Sequence, residues 1–467
     1  MARGSEKNYS KTYGDDAIIA QAIGRQAIKH VGTGGSDFID GVISGLAWKG
    51  GQVTYAFPDN KNDYQYGGEK NHNFGVVSGK IRDAAEFILD TSYGSKANDG
   101  FAVEGFTAMK VSRGNDNNAT LRLAESADAD PTAYGYFPNQ GARGGDVWFG
   151  QKANYSNAVS GNYEYATVIH ELGHALGLKH GHEAGFGNPA IPDQWDSSEY
   201  SVMTYRSYVN GPDGPYSNEN FGFPQTYMMA DIAALQHMYG ANFKVNDGRT
   251  VYSWKPNSGD TYVNGKVGIN SGGDNIFATI WDGGGRDKYD LSAYHNNVYV
   301  DLHAGSYSQF RESQLADLDT SSNSSSHTAR GNIFNALQYK GDNRSLIEDA
   351  AGGSGNDIIW GNQGKNRIVG NSGNDELDGW QGNDLLVGGK GNDTFIFEKG
   401  WDKDSIVDFK GQDKIDLSAY GFLGVGDVKT HADDHGKDVV LVFGNGDSLT
   451  IDNMHKSDLQ ANDFILF

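Results

Sequence analysis

The chain has 467 residues, enough for two or three domains, and a net charge of −22 from 60 acidic and 38 basic residues. That balance excludes a basic nucleic-acid-binding face and a hold on anionic membrane surfaces, and no apolar run is long enough to span a bilayer. Cysteine is absent, so disulfides and thiolate metal ligands are excluded and any metal site must be built without sulfur from cysteine.

Residues 1–15 are polar, read as loosely held or as the remnant of a pro-segment, and carry no apolar core of a secretory signal. Ile18, Ile19, Ala22, Ile23 and Ala27 recur at helical spacing and predict a helix over Ala17–Ile28. A strand follows at Gln52–Phe57, ended by Pro58, then an amphipathic helix over Lys80–Leu89. Strands are expected at Phe101–Val111, Thr120–Ala124, Ala133–Phe137 and Asp146–Phe149. Tyr165, Val168, Ile169, Leu172, Ala175 and Leu176 form an apolar stripe and predict a helix over about 163–178. Another is expected over Thr226–Tyr239, closing near Gly240. Residues 1–245 thus read as an α+β domain, a mixed twisted sheet plus helices. From about 246 to 467 the texture turns rich in Gly, Asp and Asn, and glycine overall (65 residues) is about twice the usual ~7 %.

The helix expected at 163–178 carries His170-Glu171-Leu172-Gly173-His174-Ala175-Leu176-Gly177-Leu178-Lys179-His180, the pattern H-E-x-x-H-x-x-G-x-x-H. Histidines four apart project from one helix face, so His170 and His174 can grip one ion. Gly177 permits a left-handed turn that ends the helix and brings His180 round as third ligand. Three protein ligands leave a position open for water, the mark of a catalytic zinc. Glu171, beside the first ligand, is placed to take a proton from that water. His182 could compete with His180; the turn favours His180, and His182 is expected as a solvated loop residue.

Between 352 and 397 a nine-residue period appears. Its first glycine is Gly352, Gly361, Gly370, Gly379 and Gly388; its fourth position is Gly355, Gly364, Gly373, Gly382 and Gly391. The sixth position is Asp357, Asn366, Asp375, Asp384 and Asp393, and a short β stretch follows each. The second position is Gly353, Asn362, Asn371, Trp380 and Gly389. This is the calcium-binding nonapeptide repeat of RTX proteins: glycine-rich turns aim carbonyls inward, Asp adds a hard anionic oxygen, and the strands stack into a parallel β-roll. The Gly361–Asn366 turn, lacking Asp, is expected to hold the weakest or most neighbour-dependent ion.

The zinc motif resembles that of the metzincin endopeptidases, and Ser201-Val202-Met203-Thr204-Tyr205 resembles their Met-turn. With the repeats and the terminus Asp463-Phe464-Ile465-Leu466-Phe467, similar to the uncleaved signal of type I secretion substrates, the chain resembles the serralysin-type alkaline proteases along essentially its whole length. Gly181, where that family often has Pro, is a local departure.

The resemblance implies a metzincin catalytic domain followed by an all-β parallel β-roll or β-sandwich domain, one zinc and several calcium ions. It implies a methionine packed under the ligands at Met203, and Tyr205 as a switchable zinc ligand and oxyanion donor. It implies a substrate-pairing edge strand through Ala133, Tyr134, Gly135 and Tyr136. It adds calcium ligands near Asn246, Gly248, Thr250, Asp282, Gly284, Gly285, Asp287 and Glu348, and after the roll at Asp404 and Asp413. Protein and peptide substrates, a type I exporter, a proteinaceous inhibitor, a monomeric state and an extracellular location follow in the same way. The competing reading is a calcium-dependent RTX adhesin or toxin module whose zinc site is not catalytic.

Overall fold

The computed structural model describes residues 26–130, 132–321 and 327–467. The chain divides into two compact units. The first runs to Val245 and also takes in Gly268–Trp281 and Ala316–Ala329; the second is Asn246–Val267, Asp282–Leu315 and Arg330–Phe467. The two later segments join the first unit through buried apolar residues such as Ile276 and Phe277, and through backbone bonds such as Gln225 N to Phe277 O at 2.8 Å.

The first unit is built on a five-stranded sheet in the order Lys110–Arg113, Gln52–Ala56, Leu121–Ser126, Asp146–Gly150, Ala133–Gly135. The first four strands are parallel; Ala133–Gly135 is antiparallel to Asp146–Gly150 and lies at the sheet edge. Asp146–Gly150 is buried along its whole length, as an interior strand covered on both faces should be. Helix Gly79–Leu89 buries Ile81, Ala84, Ala85, Ile88 and Leu89, the face expected from its spacing.

Several expectations need correction. Phe101–Val111 is not one strand: a 3-10 turn at Asp99–Phe101 leads into a one-turn helix at Val103–Phe106, and only Lys110–Arg113 is extended. Glu104 and Thr107 are buried along with their apolar neighbours, so burial here does not follow the polar and apolar alternation that a strand assignment relies on. The helix expected over 17–28 lies outside the described residues except at its end, where Ile28–His30 is a strand. The polar segment 1–15 also lies outside them. The helix expected from Thr226 begins at Met229.

In the second unit the nine-residue period becomes an eighteen-residue coil. Successive repeats alternate between two sheets, so Ile358 pairs with Glu376 and Glu376 with Thr394, while Arg367 pairs with Leu385, all in parallel register. Each strand turns one residue fully inward: Ile359, Leu377, Phe395 and Ile415 in one sheet, Ile368, Leu386 and Ile406 in the other. A core this thin, about 1.5–3 kcal/mol per buried side chain, has to offset the entropy of ordering many glycines, so the turns need support of their own. Phe464–Ile465 closes one sheet beside Lys414–Asp416.

Candidate active site and calcium turns

Helix Tyr163–Leu176 starts at Asn162, whose side chain accepts from Tyr165 N at 2.9 Å, and ends at Gly177 with φ of +109°. The last helical residue is therefore Leu176, two short of the expected end, and the left-handed glycine reverses the chain as the spacing requires. His170, His174 and His180 converge, one ring nitrogen from each lying within 4.8 Å of the others. His174 Nε2 and His180 Nε2 are 3.1 Å apart. Nitrogens sharing a tetrahedral ion at 2.0–2.1 Å would stand about 3.3 Å apart, so the ring set fits zinc.

The other nitrogens are fixed by the backbone: His170 Nδ1 donates to Val202 O and His174 Nδ1 to Leu178 O, both at 2.7 Å. That leaves each Nε2 free for a metal. Burial pushes His170 and His174 down to about 3 and His180 to about 4, so all three imidazoles are neutral and ready to ligate at neutral pH.

Glu171 is buried, its Oε2 has no hydrogen-bond partner, and burial pushes its carboxyl up to about 8. Met203 is fully buried against Gly173: a Cβ at Gly173 would come within 2.5 Å of the Met203 sulfur. The Tyr205 ring lies 5.8 Å from His170 and 4.6 Å from His180, and burial followed by the Glu171 charge raises its hydroxyl above the usual range, keeping it a donor. His182 is not solvated. Its side chain is 4 % exposed and its ring stacks between His180, at 5.1 Å, and Tyr205, at 4.7 Å. The chain folds back over the third ligand and carries His182 inward with it.

The edge strand passes directly over the helix. A Cβ on Gly135 would strike the Glu171 carbonyl and stand 3.2 Å from His174 Cβ, so only glycine allows this approach. Tyr134 and Tyr136, which flank it, both donate to Glu69 Oε1. Beside Glu171 a small cavity of about 80 Å³ is walled by Tyr163, Thr167, Val202, Tyr216 and Phe223.

Three further residues act on this centre and were not singled out in the sequence. Asp231, fully buried, accepts from Ser201 Oγ at 2.6 Å, Val202 N at 2.8 Å and Met228 N at 3.0 Å, and so fixes the loop whose Val202 carbonyl holds His170. The available signal was a lone acid in the otherwise apolar run of Met229–Leu235. Lys179 Nζ is caged by the carbonyls of Gly41, His180, Glu183 and Pro189, tying down the loop after the third ligand. Phe137 packs edge-on to His174 at 5.3 Å and carries the exposed Phe186 at 5.0 Å.

In the roll, aspartates eighteen or twenty residues apart form ladders. Asp357 N donates to Asp375 Oδ1, Asp375 N to Asp393 Oδ1 and Asp393 N to Asp413 Oδ1; in the other column Asn366 N donates to Asp384 Oδ1 and Asp384 N to Asp404 Oδ1, all at 2.8–3.0 Å. Asp404 and Asp413 thus continue the two columns. Asp375, Asp384 and Asp393 each keep a buried Oδ2 without a partner, and burial raises their carboxyls, Asp375 to about 7 and Asp384 to about 8. Unpaired anionic oxygens in glycine turns suit a hard cation.

The first glycine of each repeat is needed for space rather than for φ. A Cβ at Gly352, Gly370, Gly379 or Gly388 would meet the aspartate of its own turn. Within the five repeats left-handed φ is confined to Asn371, Gly373, Trp380, Gly382, Gly389 and Gly391, while Gly353, Gly355, Gly361 and Gly364 are not in that region.

The flanking segments also come together. Asp287 Oδ1 accepts from Thr250 N at 2.7 Å, Asp287 N donates to Glu348 Oε2 at 2.7 Å, and Asp282 accepts from Gly284 N and Tyr252 OH. Gly285 lies so close to the Gly248 carbonyl that a Cβ would not fit, and Asn246 O accepts from Thr250 Oγ1. Asp287 Oδ2 is buried and unpaired; burial pushes the Asp282 carboxyl up, and burial together with the neighbouring Asp282 charge pushes Asp287 up.

A three-histidine metal centre on a mixed α+β unit, followed by a parallel roll of aspartate turns, defines a metzincin domain joined to an RTX β-roll. The family model for the RTX calcium-binding nonapeptide repeat matches residues 347–375 and 360–395, and the model for the Peptidase M10 serralysin C terminal matches residues 241–310. Serralysin G of Dickeya chrysanthemi is 34% identical over 367 residues, 75% of this chain and 69% of that one. A Serralysin C of the same organism is 39% identical over 347 residues, 72% and 66% of the two chains. Metalloprotease AprA of Pseudomonas entomophila is 32% identical over 265 residues, 55% of this chain but 49% of that one, so the chain spans about half the length of some relatives it matches. The chain belongs to the serralysin family.

Proposed function

We propose that this chain is a secreted, broad-specificity zinc endopeptidase whose roll is stabilised by several calcium ions. The observation that carries the reading is the Glu171 carboxylate, buried with a free oxygen at the centre formed by His170, His174 and His180. Zinc held by these imidazoles supplies Lewis acidity to the scissile carbonyl and lowers the pKa of the attacking water. Glu171, whose ionised form a cation at the three imidazoles would favour against the effect of burial, takes the proton from that water and delivers it to the leaving amine. Tyr205, held protonated, donates its hydroxyl to the developing oxyanion and can move aside as a ligand.

Strand Ala133–Gly135, with Tyr136 beyond it, offers its open edge to an extended peptide, and the Glu69 carboxylate braces Tyr134 and Tyr136 behind it. Recognition through the backbone supports breadth in substrate choice. The cavity beside Glu171 takes one substrate side chain. The calcium repeats support export by a type I system with folding outside the cell, where calcium is abundant. A proteinaceous inhibitor would occupy the same cleft. Casein hydrolysis by the wild type and Glu171→Ala, with bound zinc measured in both, tests the reading. Loss of at least 10²-fold in rate at unchanged zinc content is expected. Equal rates would exclude Glu171 as the base, and an inactive wild type holding zinc would favour the adhesin or toxin module.

A further inference from the structure

The turn Gly361–Asn366 departs from its neighbours at two positions, and the two departures touch. Asn362 N donates to Asn366 Oδ1 at 2.9 Å, and Asn366 Nδ2 donates to Asn362 Oδ1 at 3.1 Å and to Glu348 O at 2.8 Å. Asn362 Oδ1 also accepts from Gly364 N at 2.8 Å, and its Nδ2 donates to Leu302 O at 3.0 Å and Ile347 O at 2.8 Å. Both residues are fully buried. All four amide donor hydrogens are used and both oxygens accept, whereas Asp375, Asp384 and Asp393 each leave an oxygen bare.

A cation between residue 348 and this turn would need oxygens where the Asn366 amino group stands. It would face N–H dipoles with their positive ends toward it, and no carboxylate at position 366 to offset its lost hydration. The second asparagine is what makes the first tolerable: glycine at 362 would leave Asn366 Nδ2 one acceptor short, and the carbonyls of Leu302 and Ile347 without these donors.

We infer that the space between Glu348 and the Gly361–Asn366 turn holds no calcium and is closed instead by the Asn362–Asn366 amide pair, making this rung independent of the ion. This reading departs from the expectation of a weak calcium site with Asn362, Gly364 and Asn366 as ligands. Asn366 N still supports Asp384 Oδ1 at 2.8 Å, so the fixed rung is the platform on which the next aspartate turn is built.

The inference rests on the reading of the aspartate turns as calcium sites, and one experiment separates the two. Calcium per full-length chain is counted by elemental analysis after equilibrium dialysis against saturating calcium, for wild type, Asn366→Ala and the double variant Asn362→Gly/Asn366→Asp. Asn366→Ala should bind the same number of ions as wild type while melting at lower temperature in chelator. The double variant, which restores the G-G-x-G-x-D pattern, should bind one ion more. Loss of one ion in Asn366→Ala, or an unchanged count in a folded double variant, would overturn the inference while leaving the other sites standing. A wild type that binds no calcium would overturn the calcium reading of the whole roll.

Discussion

Asp231 gives the sharpest handle on how the metal centre is held. Replacing it by alanine removes the acceptor for Val202 N, Met228 N and Ser201 Oγ in a fully buried place. Each stranded donor costs about 1–3 kcal/mol. With water admitted to part of the vacated space, the sum is about 3–5 kcal/mol, a large share of the ~5–15 kcal/mol of a typical domain. The damage also has a direction. Val202 O accepts from His170 Nδ1 at 2.7 Å, so a loosened Val202 frees the first ligand to rotate, and zinc affinity should fall by about 10–100-fold. Asp231→Asn is the control. Its oxygen can serve the two backbone N–H groups and its amino group can donate to Ser201 Oγ, for a cost of about 1 kcal/mol. Urea melts give the stability, and competition with a zinc chelator gives the affinity. An Asp231→Ala variant within 1 kcal/mol of wild type, or holding zinc as tightly, would refute the reasoning.

Lys179→Met should strand the carbonyls of Glu183 and Pro189, now 2.7 and 2.9 Å from Nζ, lower stability by about 2–4 kcal/mol and speed zinc loss through a looser His180; stopped-flow chelation would detect the change. The roll should respond to pH in opposite senses with and without calcium. Burial raises Asp375 and Glu348 to about 7 and Asp384 and Asp404 to about 8 in the folded chain, above unfolded values near ~4. Stability from these groups is therefore complete below about pH 4 and is lost as pH rises through 7–8 in the absence of metal. Calcium binds the ionised form, so the rise in Tm that it gives should grow over the same range. Thermal melts in chelator and in calcium decide it, and a metal-free Tm that climbs from pH 5.5 to 9 would contradict the assignment.

The parts legible in the sequence were those fixed by local geometry. A helix repeat puts His170 and His174 on one face whatever surrounds them, and Gly177 adopts the left-handed turn needed before His180. A nine-residue period with glycine at fixed places has few folded solutions, and the parallel pairing of Ile358, Glu376 and Thr394 follows from it. What escaped depends on contacts between distant residues. Asp231 reaches a loop thirty residues earlier, His182 is buried only because the chain after His180 folds back on Tyr205, and the Asn362–Asn366 pair reads as two defects until their side chains are seen to meet. Phe101–Val111 misled because its polar residues Glu104 and Thr107 are buried with the apolar ones, and three short elements follow one another within it.

The edge strand over Glu171 is only three residues long. On the proposed reading, pairing with it would offer a peptide a few backbone hydrogen bonds, each worth about 0.5–1.5 kcal/mol net. Such a grip is too weak to pull a strand out of a cooperative sheet. Cleavage should then track how often a target exposes a slack segment rather than which residues it contains, making the enzyme a gauge of unfolding in its surroundings. If calcium locks the roll as proposed, the roll would offer few such segments, so the feature that limits the reach of the enzyme would also spare it from its neighbours of the same kind.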